Sequence, residues 1–127
     1  IREILAGLAD TQGGGEDSEG EESPLVRKAR RLILEYYSQG ITLEEIASKL
    51  GVSGEYLSTR LKKETGSTFT EIIKAVRMDK IKELLVSTNM KLTQIADAAG
   101  YTDPKYMSRI FREEEGMLPL EYRKIHL

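Results

Sequence analysis

Hydrophobic residues recur at helical spacing through residues 25–127. Apolar positions between Leu25 and Ser38, and again between Phe69 and Ser87, are three or four residues apart. This spacing places them on one face of a helix and predicts amphipathic helices around a core. The alternating apolar pattern and the Asn-Gly turns that are typical of strands and hairpins do not occur. The pattern therefore predicts an all-α fold.

Capping residues and glycines divide this region into seven predicted helices. Ser23 and Pro24 are typical of a helix start, and Thr42 and Thr68 each precede a glutamate by three residues, as in a capping box. Glycines follow several of the apolar stretches and predict helix ends. The predicted helices span about residues 25–38, 43–50, 54–64, 69–87, 92–99, 103–114 and 119–125.

Residues 1–24 differ sharply in composition from the rest of the chain. They contain seven acidic residues and one arginine, and the stretch TQGGGEDSEGEES has no apolar residue. Such a stretch cannot bury a core, so it predicts a flexible acidic Gly-rich linker. Large apolar residues between Ile1 and Leu8 have helical spacing and predict the tail of an upstream domain. Because the chain begins with isoleucine rather than methionine, we expect it to be a piece of a longer protein.

The net charge hides this difference between the two parts. The whole chain carries −2, which argues weakly against nucleic-acid binding. Residues 1–24 contribute −6, whereas residues 25–127 contain 18 basic and 14 acidic residues and contribute +4. The predicted folded part is therefore modestly basic, and we expect limited non-specific affinity for nucleic acid.

The residue types present exclude several classes of protein. The chain has no cysteine, which excludes disulfide frameworks, thiolate zinc sites and cysteine nucleophiles. Its one histidine, His126, provides no cluster for a metal or for catalysis, so we expect no enzyme activity, metal or cofactor. No apolar run approaches the ~18 residues that cross a bilayer, so we expect no membrane contact from this segment. A chain without disulfides suits a cytoplasmic location.

An internal duplication is the most informative feature of the sequence. LEEIASKLG at 43–51 matches LTQIADAAG at 92–100 with an offset of 49, and the offset becomes 50 after the turn. One extra residue in the second turn explains this change. A period repeated only twice is too short for a solenoid and indicates two copies of one helical module.

Each copy has the pattern of two helices joined by a tight turn. An alanine lies four residues before the turn glycine, as Ala47 before Gly51 and as Ala96 before Gly100. The alanine allows a close helix crossing, and the glycine supplies the positive φ that often ends a helix. This is the helix-turn-helix pattern, and ordinary helical hairpins are the alternative.

The helix between the copies would be about 27 Å long. Adjacent major grooves on one DNA face are about 34 Å apart, so two recognition helices would reach neighbouring grooves.

Three stretches carry a resemblance to a known family. They are IADAAGYTDPKYMSRIFREEEGMLPLEYRK, TLEEIASKLGVSGEYLSTRLKKETG, and VRMDKIKELL with its Arg77. On these motifs, residues 25–127 resemble the DNA-binding domain of AraC-type (arabinose-regulator-like) bacterial transcription factors. The resemblance implies two helix-turn-helix subdomains, at about 25–66 and 92–127, joined by a linker helix at about 69–87.

The resemblance also implies a function and partners. It implies a sequence-specific DNA-binding output domain that inserts two recognition helices into adjacent major grooves of double-stranded DNA. We expect homodimerisation through an N-terminal domain outside this chain, and RNA polymerase is a further candidate partner. The order of parts resembles the output end of Gram-positive response regulators. The alternative is a helical protein-interaction module that has lost DNA binding, which would show no salt-sensitive DNA binding.

The first predicted recognition helix directs Leu57 and Leu61 inward, and its other side faces outward. The resemblance implies base contacts on this outward side for Glu55, Ser58 and Thr59. We expect Lys62 and Lys63 to contact phosphates. Glu55 would accept a hydrogen bond from cytosine N4. The alternative for Glu55 is a solvated acid at a helix start, where the helix dipole favours it.

The second predicted recognition helix directs Met107 and Phe111 inward. The predicted base-contacting residues are Lys105, Ser108 and Arg109, and the predicted phosphate contact is Arg112. Arg109 would form two hydrogen bonds with a guanine. Its alternative is a surface salt bridge to Glu113 at i+4. The acidic run 113–115 replaces residues that are often basic in the family, so it predicts either weaker binding or a face turned from DNA.

Overall fold

The computed structural model describes residues 22–127, which contain seven α-helices and no strand. We number the helices in chain order as α1 Pro24–Tyr36, α2 Leu43–Leu50, α3 Gly54–Thr65, α4 Phe69–Ser87, α5 Leu92–Ala99, α6 Pro104–Glu115 and α7 Pro119–Ile125. The predicted all-α fold is confirmed. The predictions for the acidic leader lie almost entirely outside the described residues. None of these seven helices is long and apolar enough to cross a membrane.

The predicted caps open three of the helices. Ser23 Oγ accepts a hydrogen bond from the backbone of the first turn of α1. At α2, Thr42 Oγ1 accepts from the Glu45 N–H (3.1 Å) and the Glu45 carboxylate accepts from the Thr42 N–H (2.9 Å). Thr68 and Glu71 form the same reciprocal pair at α4. These bonds satisfy backbone donors that a helix leaves without internal partners, which is why the pattern predicted the starts correctly.

The end of α1 differs slightly from the prediction. The α-helix stops at Tyr36, two residues early, and a 3-10 turn, Tyr37–Gln39, leads to Gly40 with a φ of 77°. Tightening into a 3-10 turn is a common way for a helix to satisfy its last carbonyls. The glycine then turns the chain toward α2.

The chain divides into two compact units, with the boundary between Val76 and Arg77 inside α4. In its described part, the first unit comprises α1 to α3 and the beginning of α4. Its buried apolar side chains are Val26, Ala29, Ile33, Ile41, Ile46, Ala47, Leu57, Leu61, Ile72, Ile73 and Val76. Burial of this apolar surface is the main force that holds these helices together.

The second unit comprises the remainder of α4 and α5 to α7. Its buried side chains are Met78, Ile81, Leu84, Leu85, Ile95, Ala96, Ala99, Tyr101, Met107 and Phe111. The predicted linker helix thus supplies apolar residues to two different cores along its length. The unit boundary therefore lies within the linker helix rather than at either of its ends.

Arg123 closes the end of α4 within the second unit. Its Nε donates to the carbonyl of Leu85 (2.9 Å), and its Nη2 donates to the carbonyls of Thr88 (3.1 Å) and Met90 (2.9 Å). Carbonyls at a helix C-terminus have no partner within the helix, and a cation is favoured there. One guanidinium therefore joins α7 to the segment that follows α4.

Glu64 joins the start of α1 to the end of α3 within the first unit. Its Oε1 accepts a hydrogen bond from the Ser23 N–H (2.7 Å), and its Oε2 pairs with Arg60. Burial raises the pKa of Glu64, but the hydrogen bonds from Ser23 and the charge of Arg60 outweigh burial. The pKa therefore lies below its ordinary value of 4.5.

Acidification should weaken the first unit through Glu64. Because the pKa is lower in the folded than in the unfolded chain, the stabilisation is present above pH 4.5 and is lost as the pH falls through the lowered value. We expect Glu64→Gln to lower the free energy of unfolding by about 1–2 kcal/mol at neutral pH. Its free energy of unfolding should fall less steeply in acid than that of the unchanged protein. Denaturant titrations at a series of pH values measure both effects.

The matched control is Glu35→Gln, which changes an exposed carboxylate of α1 and should alter stability by no more than about 0.5 kcal/mol. Parallel pH curves for Glu64→Gln and the unchanged protein would contradict the role of Glu64.

Candidate nucleic-acid interface

Two glycines form the turns of the two helix-turn-helix motifs. Gly51 ends α2 with a φ of 74°, and Gly100 ends α5 with a φ of 94°. A Cβ added at Gly51 would meet no atom within 4 Å, so the backbone conformation rather than space requires glycine there. The predicted positive φ is confirmed at both positions. The turn to α6 is one residue longer than the turn to α3, as the change of offset predicted.

Both turns close on a small buried residue. Ala47 and Ala96 are each 1% exposed. The Ala47 carbonyl accepts a hydrogen bond from the Val52 N–H (3.0 Å), and the Ala96 carbonyl accepts one from the Tyr101 N–H (2.8 Å). The two motifs therefore share this hydrogen bond at the start of the turn, despite the extra residue in the second turn.

The outward side of α3 carries the predicted contacts of the first motif. Leu57 and Leu61 are fully buried. The remaining predicted residues are exposed or half-buried, namely Glu55, Ser58, Thr59, Lys62 and Lys63. Ser53 caps the helix by accepting a hydrogen bond from the Tyr56 N–H (3.0 Å). Lys62 Nζ donates to the carbonyl of Gly66 (3.1 Å) at the other end. DNA contact by these residues stays a prediction.

The outward side of α6 carries the predicted contacts of the second motif. Met107 and Phe111 are fully buried. The predicted contact residues are again exposed or half-buried, namely Lys105, Ser108, Arg109 and Arg112. The helix begins at Pro104, one residue later than expected, because Asp103 is its N-cap and accepts from the Lys105 N–H (2.9 Å). Three exposed cations therefore lie on α6, and their contacts with DNA likewise stay a prediction.

Arg109 contacts a residue that the sequence analysis did not identify. Its guanidinium carbon lies 5.2 Å from the centroid of the Tyr106 ring, a cation–π contact. The alternative contact, an ion pair with Glu113, is not formed within residues 22–127. The available signal was the spacing, since residues at i and i+3 are neighbours on a helix. Tyr106 is 46% exposed, so its ring lies on the surface of α6 rather than in the core.

The three glutamates at the end of α6 have different surroundings. Glu115 Oε2 forms an ion pair with Lys82 Nζ of α4 at 3.2 Å, and the Glu115 side chain is 23% exposed. Glu113 and Glu114 are exposed to solvent. Glu115 is therefore directed at α4 within the second unit, whereas the other two acids remain on the surface near Arg112.

The part of the chain that the structure describes contains no candidate metal-binding site. Across residues 22–127, no group of three or more histidine, cysteine, aspartate or glutamate side chains is placed to hold a metal ion. The exposed polar and cationic side chains of α3 and α6 form the candidate functional site.

Comparison with known proteins assigns these motifs to a family. Residues 46–125 match the family described as a helix-turn-helix domain. A solved structure, the C-terminal domain of AraT, a response regulator from Geobacillus stearothermophilus, is 39% identical with a TM-score of 0.78, covering 81% of this chain and 86% of that one. The chain belongs to the AraC-type helix-turn-helix family. The family predicted from the sequence motifs is confirmed.

Two further proteins are similar to this chain in sequence, and one of them is also similar in structure. The C-terminal domain of the two-component response regulator YesN from Fusobacterium nucleatum is 32% identical with a TM-score of 0.74, covering 80% of this chain and 99% of that one. The uncharacterised HTH-type transcriptional regulator YisR of Bacillus subtilis is 37% identical over 98 residues, which are 77% of this chain and 34% of YisR. The chain spans only 26% to 34% of the length of the first curated relatives that it matches.

Proposed function

We propose that this chain is the sequence-specific DNA-binding output domain of a bacterial transcription regulator. One observation carries the proposal, namely that two helix-turn-helix motifs with the same turn each direct the polar side of their second helix to solvent. A second helix presented in this way fits the major groove of DNA. The matched relatives are transcriptional regulators, which supports the assignment.

We further propose that α3 and α6 enter adjacent major grooves of one duplex. The linker helix α4 has 19 residues. At 1.5 Å per residue it is about 28 Å long, which is near the ~34 Å between grooves on one DNA face. A single chain would then cover a direct-repeat site of about 20 base pairs.

The two recognition helices would contribute differently to binding. The outward side chains of α3 near its start are short or acidic, so they offer no bidentate pair with guanine, whereas Lys62 and Lys63 are suited to phosphates. On α6, Arg109 has the donors for a guanine, and Arg112 would contact the backbone. We therefore propose that α6 supplies most of the base discrimination and that α3 supplies mainly backbone contacts.

The rest of the regulator determines when this domain acts. The similarity to C-terminal domains of response regulators supports an output role downstream of a further regulatory domain. Homodimerisation through such an upstream domain would add affinity to a module whose own charge excess is modest. RNA polymerase is a proposed partner at the promoter, and the place of action is the bacterial cytoplasm.

Selection of binding sites from random duplex DNA tests the proposed function. The chain should enrich a direct repeat of about 20 base pairs and protect it in a footprint. Its affinity should fall steeply as salt rises, because cations of the protein displace counterions from phosphates. The absence of any enriched sequence and of any salt-sensitive binding would favour the alternative of a protein-interaction module.

Lys62→Ala should weaken binding to all duplexes alike. One lost phosphate contact should reduce the slope of log affinity against log salt by about 0.9 and leave the preferred sequence unchanged. Fluorescence anisotropy at several salt concentrations measures the slope. Lys28→Ala, which removes an exposed lysine of α1, is the matched control and should keep the original slope. An unchanged slope for Lys62→Ala would remove Lys62 from the predicted phosphate contacts.

A further inference from the structure

Four side chains of the second unit form a series in which two tyrosine rings lie between two arginines. The Arg77 guanidinium lies 5.2 Å from the centroid of the Tyr101 ring. The Tyr101 ring meets the Tyr106 ring in an edge arrangement, with centroids 6.0 Å apart and planes at 61°. The Tyr106 ring in turn receives the Arg109 guanidinium at 5.2 Å. The series therefore leads from the linker helix α4 through the turn of the second motif to the outward side of α6.

The two tyrosines differ in their exposure, and this difference favours a positioning role for Tyr106. Tyr101 is only 8% exposed and belongs to the core of the second unit, whereas Tyr106 is 46% exposed. The Tyr106 ring therefore contacts both the buried ring of Tyr101 and the exposed guanidinium of Arg109. A ring with these contacts has fewer orientations than a free surface tyrosine, because each contact removes rotamers.

A cation–π contact of the kind that Arg109 forms with Tyr106 does not occupy the N–H donors of the guanidinium. A guanidinium stacks on a ring through its flat face and keeps its N–H donors in the plane. Those donors are the ones that pair with O6 and N7 of guanine. A free arginine loses conformational entropy when it is ordered on DNA, and an arginine already held by a ring loses less of it.

We propose that Tyr106 is a specificity-determining positioning residue, which holds the Arg109 guanidinium in the orientation that reads a base. The inference rests on the proposed function, because it presumes that Arg109 contacts DNA. Tyr106 itself acts through Arg109.

The first motif provides a natural comparison within the same chain. By the repeat offsets, Tyr56 corresponds to Tyr106, Thr59 to Arg109 and Val52 to Tyr101. Tyr56 is 51% exposed, so the tyrosine is present, but the cation and the supporting ring are not. The positioning device is therefore confined to the second motif, in agreement with a larger role for α6 in base discrimination.

The test compares DNA binding by five variants with that of the unchanged chain. The first probe is the best duplex selected by the unchanged chain. The second probe is the same duplex with one base pair replaced, namely the pair at which Arg109→Ala loses its preference. Tyr106→Leu should reduce discrimination at this pair about twofold to fivefold, the effect of one exposed cation–π contact. Tyr106→Phe retains the ring and should retain the discrimination. Tyr56→Leu should leave discrimination at this pair unchanged. Tyr106→Leu combined with Arg109→Ala should bind the best duplex with the same affinity as Arg109→Ala alone.

Each outcome decides one part of the inference. Equal discrimination by Tyr106→Leu and the unchanged chain would overturn the positioning role while leaving the proposed function intact. An additional loss of affinity for the best duplex from Tyr106→Leu in the Arg109→Ala background would also overturn it, because the tyrosine would then act independently of Arg109. Failure of the unchanged chain to discriminate between any duplexes would overturn the proposed function itself. Thermal melting of each variant establishes that its helices are folded before binding is compared.

Discussion

Phe111→Ala should unfold much of the second unit. Phe111 is 0% exposed, and its ring meets Tyr122 edge-on with centroids 5.5 Å apart. Truncating a buried phenylalanine typically costs about 3–5 kcal/mol, through lost burial and the cavity left behind. This is a large part of the stability of a small unit, so α6 should lose its support. Circular dichroism during thermal melting and amide hydrogen exchange resolved along the chain measure the loss.

The internal repeat supplies the control for this prediction. Leu61 occupies the position of Phe111 in the first motif and is equally buried. Phe111→Leu therefore introduces a side chain that the same motif accommodates elsewhere, and it should cost only about 1–1.5 kcal/mol. A loss below about 1 kcal/mol for Phe111→Ala would show that this side chain contributes far less than its complete burial implies.

Arg109→Ala should abolish discrimination at one base pair of the target. A bidentate arginine–guanine pair contributes about 1–3 kcal/mol, so affinity for the preferred base should fall about 5- to 150-fold toward that for the other bases. Preferences at the other positions should persist. Repeating the selection from random DNA with the variant, and measuring affinities for the four possible base pairs, tests both statements.

Arg109→Lys separates the charge of this residue from its geometry. A lysine keeps the positive charge and hence the salt dependence, but it lacks the planar donors that match guanine. We expect it to restore the salt slope and not the discrimination. If Arg109→Ala kept both the preferred sequence and the affinity, Arg109 would not be a base-reading residue.

Local sequence patterns predicted most of the fold. Ser23, Thr42 and Thr68 were correctly predicted as caps, because a cap depends on bonds between residues two or three positions apart. The glycines of the turns were predicted because a left-handed conformation strongly favours glycine. The differences were equally local: α1 tightens into a 3-10 turn at Tyr37, and Asp103 caps α6 from one residue further on.

The candidate site was predicted as a face and not as a set of contacts. Helical periodicity directs Leu57 and Met107 inward, so the opposite residues had to face outward, and the structure places them there. Periodicity does not determine which neighbour an exposed long side chain chooses. Tyr106 at i−3 and Glu113 at i+4 are both within reach of Arg109, and only the structure shows the contact with the ring.

The sequence by itself determined the seven helices, the duplication and the outward sides of both recognition helices, because these depend on short-range spacing. The tertiary structure decided which distant groups meet. Arg123 reaches the carbonyls of Leu85, Thr88 and Met90, and Glu115 reaches Lys82, in each case across more than 30 positions of the chain. Such pairings depend on how helices pack, which follows from the shape of the whole core and which no local pattern encodes.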